Sequence, residues 1–394
     1  MRIASVIVIL GLLAGACSGN DAEPPGPGRL VVIDETGNVA TINPDDGAVN
    51  AITEDGGGRV TYFQPNWSPN ASHLGVTRSD ADGFSIEIID VATGEQTSTT
   101  TTSNSFYSYW SPDGTRLAFL SSVTPQDLGL DVITLADAET PARLGLGQPL
   151  YFSWSPDSEE VVAHRGTERL EFLDAKGTAG DGSEFPPPGE FSAPQWTEPG
   201  IISIGAGGGR QQLILTEPDG ETMTIARLSG GAAFTATHDG QRIAILPTGG
   251  DDVGSTVAAQ QAPLLPAGRL LVVDADDAAF EEVDTGLAVS FFWDATGTRL
   301  LILEFTDTGV FRWQVWEDGE LTTFPDFEPS PSLLRDLVPF FDQYAQSMTL
   351  WSPDGSSFAF PGAVDGTDGI WVQDLAATDP VRISGGSWVA WSTG

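Results

Sequence analysis

A short turn motif that begins with tryptophan recurs along this chain and constrains its fold more than any other feature. Clear copies read Trp-Ser-Pro-Asn or Trp-Ser-Pro-Asp and start at Trp67, Trp110, Trp154 and Trp351. Weaker copies start at Trp196, His238, Trp293 and Trp391. Successive copies lie 43, 44, 42, 42, 55, 58 and 40 residues apart. The body of the chain is therefore a repeat with two long intervals.

The residues of the motif favour a tight turn between strands. Proline presets φ at the second position of a type I turn, the aspartate bonds to nearby backbone, and glycine accepts the last position. Short apolar runs such as 117–120 and 300–303 follow the turns, and helical periodicity is almost absent. A period near 40 to 45 residues with four short strands predicts an all-β fold, a single β-propeller of four-stranded blades.

The two ends of the repeat complement each other. Residues 387–394 contain one strand, whereas residues 29–53 contain three strands without a tryptophan turn before them. We expect these segments to share one blade, because such closure removes the free sheet edges. The motifs then predict eight blades, with seven as the alternative if the unit of His238 or Trp196 is degenerate.

These motifs resemble the TolB-like propeller repeats, also called PD40 or WD40-like repeats, over most of residues 29–394. The resemblance implies that the repeated residues build blades and are not catalytic. This structural set is Trp67, Trp110, Asp113, Trp154, Asp157, Trp196, Trp293, Trp351, Asp354 and Trp391.

The N-terminus has the features of a targeting segment. A basic start, an apolar run and small residues precede Cys17, the only cysteine, which is typical of a secretory signal. The segment resembles the lipobox of bacterial lipoproteins, although Ala14 stands where leucine is usual. We therefore predict a signal peptide over 1–16, a lipidated tether over 17–28 with Cys17 as the acylated residue, and an extracytoplasmic, membrane-anchored propeller over 29–394. A plain secretory signal is the alternative.

Two insertions, residues 247–268 and 325–346, account for the long intervals. In an up-and-down blade both connections emerge on the face opposite the tryptophan turns, and loops of this length are often functional. Within the second, residues 331–338 predict a short helix with Ser330 as N-cap. Phe340, Phe341 and Tyr344 follow and are candidate partner-binding residues. The alternative is a plug that packs onto the propeller.

Composition and the absence of known motifs argue against several classes of partner and activity. The 17 basic and 55 acidic residues give a net charge of −38, which argues against nucleic acid as a partner. No Gly-x-Ser-x-Gly nucleophile motif or phosphate-binding motif is present, and the three histidines are not spaced as a metal site. The acidic runs 80–83 and 274–277 could attract calcium, although hairpin tips explain them better. No other cofactor is predicted.

These features favour a non-catalytic, monomeric binding or scaffold protein of the cell envelope, anchored by lipid, whose partner is a protein, a peptide or a glycan. An enzyme with site residues scattered among loops is the first alternative. A Tol–Pal-like envelope component is the second. The fold alone does not decide among them.

Overall fold

The computed structural model describes residues 28–101, 104–166, 169–177, 188–249 and 262–393. Thirty antiparallel strands and one short α-helix occupy these ranges, beside two short helical turns. The predicted signal peptide, residues 17–27 of the predicted tether with Cys17, and most of the first insertion lie outside the described residues.

Consecutive strands pair with their neighbours in the chain and form separate sheets. The first three are β1 (Leu30–Ile33), β2 (Val39–Ile42) and β3 (Val49–Ala51) with β30 (Trp388–Trp391); β4 (Thr61–Trp67), β5 (His73–Asp80), β6 (Gly83–Asp90) and β7 (Gln96–Thr101); and β8 (Ser105–Trp110), β9 (Arg116–Thr124), β10 (Asp127–Thr134) and β11 (Asp137–Gly147). The next three are β12 (Leu150–Trp154), β13 (Glu160–Arg165) and β14 (Arg169–Asp174); β15 (Gln195–Trp196), β16 (Ile201–Gly207), β17 (Arg210–Thr216) and β18 (Thr222–Leu228); and β19 (Ala232–Ala236), β20 (Arg242–Pro247), β21 (Leu271–Asp274) and β22 (Phe280–Glu282).

The last sheet has seven strands in chain order. It runs through β23 (Leu287–Trp293), β24 (Arg299–Phe305), β25 (Phe311–Glu317), β26 (Glu320–Pro329), β27 (Ser357–Val364), β28 (Thr367–Asp374) and β29 (Val381–Ser384). Only Glu328 and Pro329 of β26 pair with β27, opposite Ala363 and Gly362. The fold is an all-β propeller, as the repeat predicts. The count of eight blades, with seven as the alternative, stays a prediction.

The predicted closure of the ring is confirmed. Strand β30 pairs with β1 in antiparallel register, so that Leu30 lies opposite Trp391 and Ile33 opposite Trp388. The backbone N–H of Ser392 also donates to the carbonyl of Arg29 at 2.8 Å. Strands from the two ends of the described chain therefore form one four-stranded sheet.

The repeated tryptophans join neighbouring sheets. The indole N–H groups of Trp154, Trp293 and Trp351 each donate to a carbonyl oxygen on the first strand of the preceding repeat unit, at 3.0, 3.0 and 3.1 Å. Their rings fill the space between sheets, and Trp154 and Trp351 are only 1% exposed. These contacts account for Trp154, Trp293 and Trp351 as structural residues.

The serine and aspartate of the motif fix the turn itself. In the second clear copy the Ser111 hydroxyl donates to Asp113 Oδ1 at 2.6 Å, and the Arg116 N–H donates to the same hydroxyl at 3.0 Å. The equivalent hydroxyl-to-aspartate bonds, Ser155 to Asp157 and Ser352 to Asp354, are both 2.7 Å. We call the surface that carries these turns the turn face, and the opposite surface the insertion face.

A second contact between units follows the turn and was not predicted. An arginine near the start of a unit reaches the next turn and donates to the carbonyl of a residue with positive φ. The pairs are Arg29 with Ala71, Arg116 with Ser158, Arg242 with Gly297 and Arg299 with Gly355, at 3.4, 2.6, 3.1 and 3.0 Å. Charged donors make stronger hydrogen bonds than neutral ones, so these contacts stabilise the ring.

Candidate functional site

The second insertion starts on the insertion face and then enters the molecule. Its chain leaves β26 at Pro329 and forms a wide turn of π type over Leu333–Leu337, a 3-10 turn over Val338–Phe340 and the helix α1 over Phe341–Tyr344. The predicted helix over 331–338 is thus a series of short turns. Ser330 Oγ accepts the N–H of Leu333 at 3.2 Å, but the N-cap of the π turn is Ser332, whose side chain makes no capping bond. We call residues 330–348 the channel segment.

Two of the three aromatic residues proposed for partner binding are buried. Phe341 and Tyr344 are each 6% exposed, whereas Phe340 is 45% exposed. Phe341 packs edge-on against Phe291 of β23, and Tyr344 packs edge-on against Tyr107 of β8, both with ring centroids 4.7 Å apart. Phe341 and Tyr344 are therefore not accessible to a partner in this structure, and partner binding by the three residues stays a prediction. The open space between the sheets is apolar, and these two rings fill it.

Gln343 makes the most extensive polar contacts of the segment. Its carboxamide accepts the N–H of Phe152 at 2.8 Å and donates to the Phe152 carbonyl at 2.7 Å and to the Tyr107 hydroxyl at 2.8 Å. The Tyr107 hydroxyl donates in turn to the Gln343 carbonyl at 3.1 Å. All of these groups are buried, so this one side chain fixes the segment to two sheets.

Asp342 lies beside Gln343 in the same buried environment. Its carboxylate accepts the N–H of Gln343 at 3.0 Å and that of Ala193 at 3.4 Å, and Gln195 Nε2 lies 3.4 Å from its backbone carbonyl. Burial raises the pKa of Asp342 to about 6, because these N–H donors only partly compensate for lost hydration. No arginine or lysine pairs with it among the described residues.

The positions of these contacts place the segment in the central channel. The residues that it touches belong to the first strands β8, β12, β15 and β23, which come from different sheets around the ring. Only a segment close to the axis can reach all of them. At the turn-face end, Gln346 Nε2 donates to the Pro194 carbonyl at 3.2 Å. The segment therefore fills part of the channel, as expected under the alternative of a plug that packs onto the propeller.

A cavity of about 850 Å³ opens on the insertion face beside the channel segment, and we call it the rim cavity. Its walls come from the loop after β1, the start of β4, the end of β26, the hairpin between β27 and β28, the start of β30 and residues 330–332, 335 and 336. It therefore joins the closing sheet to the channel segment. A separate cavity of about 180 Å³ lies at the other end, beside Ala345 and Gln346.

The rim cavity is acidic. Five carboxylates line it, from Asp34, Glu35, Glu328, Asp336 and Asp368, against two guanidinium groups, Arg335 and Arg382. Arg335 forms two hydrogen bonds to the neighbouring Asp336, at 2.7 and 2.6 Å, and Arg382 Nε donates to the Asp368 carbonyl at 2.9 Å. Both cations already have acceptors of this protein, which leaves a negative field in the cavity.

The other candidate sites do not come together. Within the described ranges, no group of three or more His, Cys, Asp or Glu side chains is placed to hold a metal ion. In the two acidic runs, Asp80 accepts the N–H of Asp82 and Asp274 accepts that of Asp276, which are hairpin contacts. The same part of the chain contains no helix long and apolar enough to cross a membrane.

Sequence reasoning missed Asp342, Gln343 and the rim cavity. A signal for the first two was present, because a carboxylate and an amide stand between the aromatic residues Phe341 and Tyr344. The cavity had no such signal, since it forms where parts of the chain more than 300 residues apart meet.

Comparison with known proteins supports the fold and nothing finer. No protein-family model and no curated protein matches the chain. Among solved structures, a eukaryotic initiation factor is similar at 10% identity with a TM-score of 0.56, over 92% of this chain and 98% of that one. A prolyl endopeptidase structure matches at 12% identity with a TM-score of 0.53, over 84% of this chain and 50% of that one.

TolB from Acinetobacter baumannii is also among the structural neighbours. It matches at 10% identity with a TM-score of 0.43, over 90% of this chain and 78% of that one. Together with the sheet topology, the two neighbours with TM-scores above 0.5 support the class of the molecule: the chain folds as an all-β propeller.

Proposed function

We propose that this protein is a non-catalytic binding protein that holds its ligand in the rim cavity of the insertion face. The observation that carries the proposal is the position of that cavity, at about 850 Å³ beside a channel that its own chain fills. Pockets of this size suit a small molecule or a few residues of a larger partner.

The charge of the cavity indicates the kind of ligand. Five carboxylates face two arginines, and the whole chain carries a net charge of −38. An anionic ligand would meet repulsion both at long range and inside the cavity. We therefore propose a neutral or basic ligand, with a peptide or protein segment that carries lysine or arginine as the first candidate and an uncharged glycan as the second.

Charge reversal at the rim tests this proposal. Glu35 and Glu328 are exposed and line the cavity, so the double variant Glu35→Lys/Glu328→Lys should weaken binding of a lysine-containing envelope peptide at least about tenfold. Titration calorimetry at two salt concentrations measures the effect, which should shrink as salt rises.

The matched control places the same charge change on the turn face. The double variant Glu95→Lys/Glu320→Lys alters two exposed hairpin residues far from the cavity and should bind like the parent protein. Equal losses in both double variants would mean that only the overall charge matters. Unchanged binding in the rim variant would contradict the rim cavity as the site.

Anchoring is a separate part of the proposal. We propose that the mature protein is held at a membrane outside the cytoplasm by lipid on Cys17, as the N-terminal pattern implies. Cys17→Ser should move the protein to the soluble fraction or leave an uncleaved precursor. Membrane fractionation with metabolic lipid labelling measures this, and a variant that stays in the membrane fraction with its signal removed would disprove lipid anchoring.

A further inference from the structure

The channel segment connects the rim cavity to the centre of the propeller. Residues 330–332, 335 and 336 line the cavity, whereas Phe341, Asp342, Gln343 and Tyr344 are buried a few residues later. We call residues 341–344 docked when they are buried in the channel. Only a few residues separate them from the cavity wall, so a change in how firmly they are docked also shifts that wall. The segment is held by side-chain contacts and has few backbone pairs to the sheets around it.

The Asp342 carboxylate is an ionisable group in a part of the channel segment whose other side chains are uncharged. The Asp342 carboxylate is buried between α1 and residues 193–195, and its two N–H donors lie at 3.0 and 3.4 Å. A buried carboxylate without a cationic partner is stable in its protonated form and costly in its charged form.

We infer that residues 330–348 form a pH-sensitive element: the segment is docked most firmly in mildly acidic conditions and opens more often at neutral and alkaline pH, because Asp342 must then either carry a buried charge or leave the channel. Opening would reshape the wall of the rim cavity. The use of that cavity by a ligand rests on the proposed function, but the opening itself does not.

The ionisable groups around Asp342 do not oppose this behaviour. Those that face it or its immediate neighbours are Tyr107, Tyr151, His164 and Tyr344, with the Arg335–Asp336 pair at the rim. Burial raises the pKa of all three tyrosines above the usual range, so they stay neutral. Burial lowers the pKa of His164, which is therefore neutral at pH 7 and above.

The direction of the effect follows from proton linkage. The docked state has an Asp342 pKa of about 6 and the open state has the ordinary value of 3.8, so the docked state binds more protons between these two values. Docking is therefore fully favoured below the lower value and weakens as pH rises through about 6. With these two pKa values, the equilibrium constant for opening, the ratio of open to docked molecules, increases about tenfold from about pH 5 to about pH 7.5.

Hydrogen exchange of the complete chain measures the opening without any ligand. Protection factors of residues 341–348, corrected for the pH dependence of intrinsic exchange, should fall about tenfold between pH 5 and pH 7.5 in the parent protein. In Asp342→Asn they should be nearly independent of pH. The control Asp318→Asn removes one exposed carboxylate from a hairpin tip and should retain the parental pH dependence.

The outcomes separate this inference from the proposed function. A parental protein with constant protection factors would overturn the inference, and so would an Asp342→Asn variant that keeps the full pH dependence. Should that variant fail to fold, the parental profile alone still decides, because its midpoint must lie near 6. If the protection factors fall as expected but the rim variants bind peptide like the parent protein, the pH-dependent opening of residues 330–348 is supported and the rim cavity is rejected as the binding site.

Discussion

Deletion of residues 387–394 is expected to abolish most of the cooperative unfolding of this protein. The deletion removes β30, whose four residues pair with β1 and whose side chains Trp388 and Trp391 are 4% and 3% exposed. Loss of a buried tryptophan side chain costs about 3–5 kcal/mol, and two of them match the entire stability of many domains. Differential scanning calorimetry should show a broad transition of low enthalpy in place of a sharp one.

A shorter deletion provides the control. Removal of residues 393–394 eliminates one described contact, from the Thr393 hydroxyl to the Pro69 carbonyl at 2.6 Å, and leaves β30 complete. That variant should unfold like the parent protein. A 387–394 deletion with a parental melting temperature and enthalpy would show that the closing sheet does not contribute to the stability of the ring.

Gln343→Leu is expected to produce the second largest effect. The substitution is similar in volume but leaves the Phe152 N–H and the Phe152 carbonyl without the carboxamide that now satisfies them. The Tyr107 hydroxyl loses one of its two bonds and keeps the one to the backbone carbonyl of residue 343. Each buried group left unsatisfied costs about 1–3 kcal/mol, so we expect a loss of about 3 kcal/mol and a fall in melting temperature of about 4 °C.

The comparison for this variant is Gln346→Leu. Gln346 is partly exposed at the turn-face end of the channel segment and makes one described side-chain bond, to the Pro194 carbonyl at 3.2 Å. Thermal unfolding followed by circular dichroism should show a fall of about 1 °C or less. Equal effects of the two substitutions would mean that the buried carboxamide has no special part in holding the segment.

The pattern of local turns explains why the fold could be predicted. A Trp-Ser-Pro-Asp turn is stabilised by bonds among residues within about five positions of each other, such as Ser352 to Asp354 and Ser357 to Ser352. Such bonds depend little on the rest of the molecule, so the sequence shows them directly. The period then predicts the propeller, and the complementary ends predict the sheet that β1 and β30 share.

The prediction was less successful for the second insertion. Its place on the insertion face followed from strand order, and its possible role as a plug was recognised. Its aromatic residues, however, were expected at a surface, and Phe341 and Tyr344 are buried. Hydrophobic residues in an insertion satisfy either role, because the sequence does not show which surface they cover.

The all-β class, the repeat and the closure between the segments 29–53 and 387–394 could be predicted from the residues alone, since these features depend on local turn chemistry and strand pairing. Three features became visible only in the packed molecule: Asp342 and Gln343 lie in the channel, arginines such as Arg242 reach the next turn, and an acidic cavity opens beside the closing sheet. These features arise from contacts between residues that are from about 40 to more than 300 positions apart. Their partners are fixed by how the sheets pack around one axis, and no local pattern records that packing.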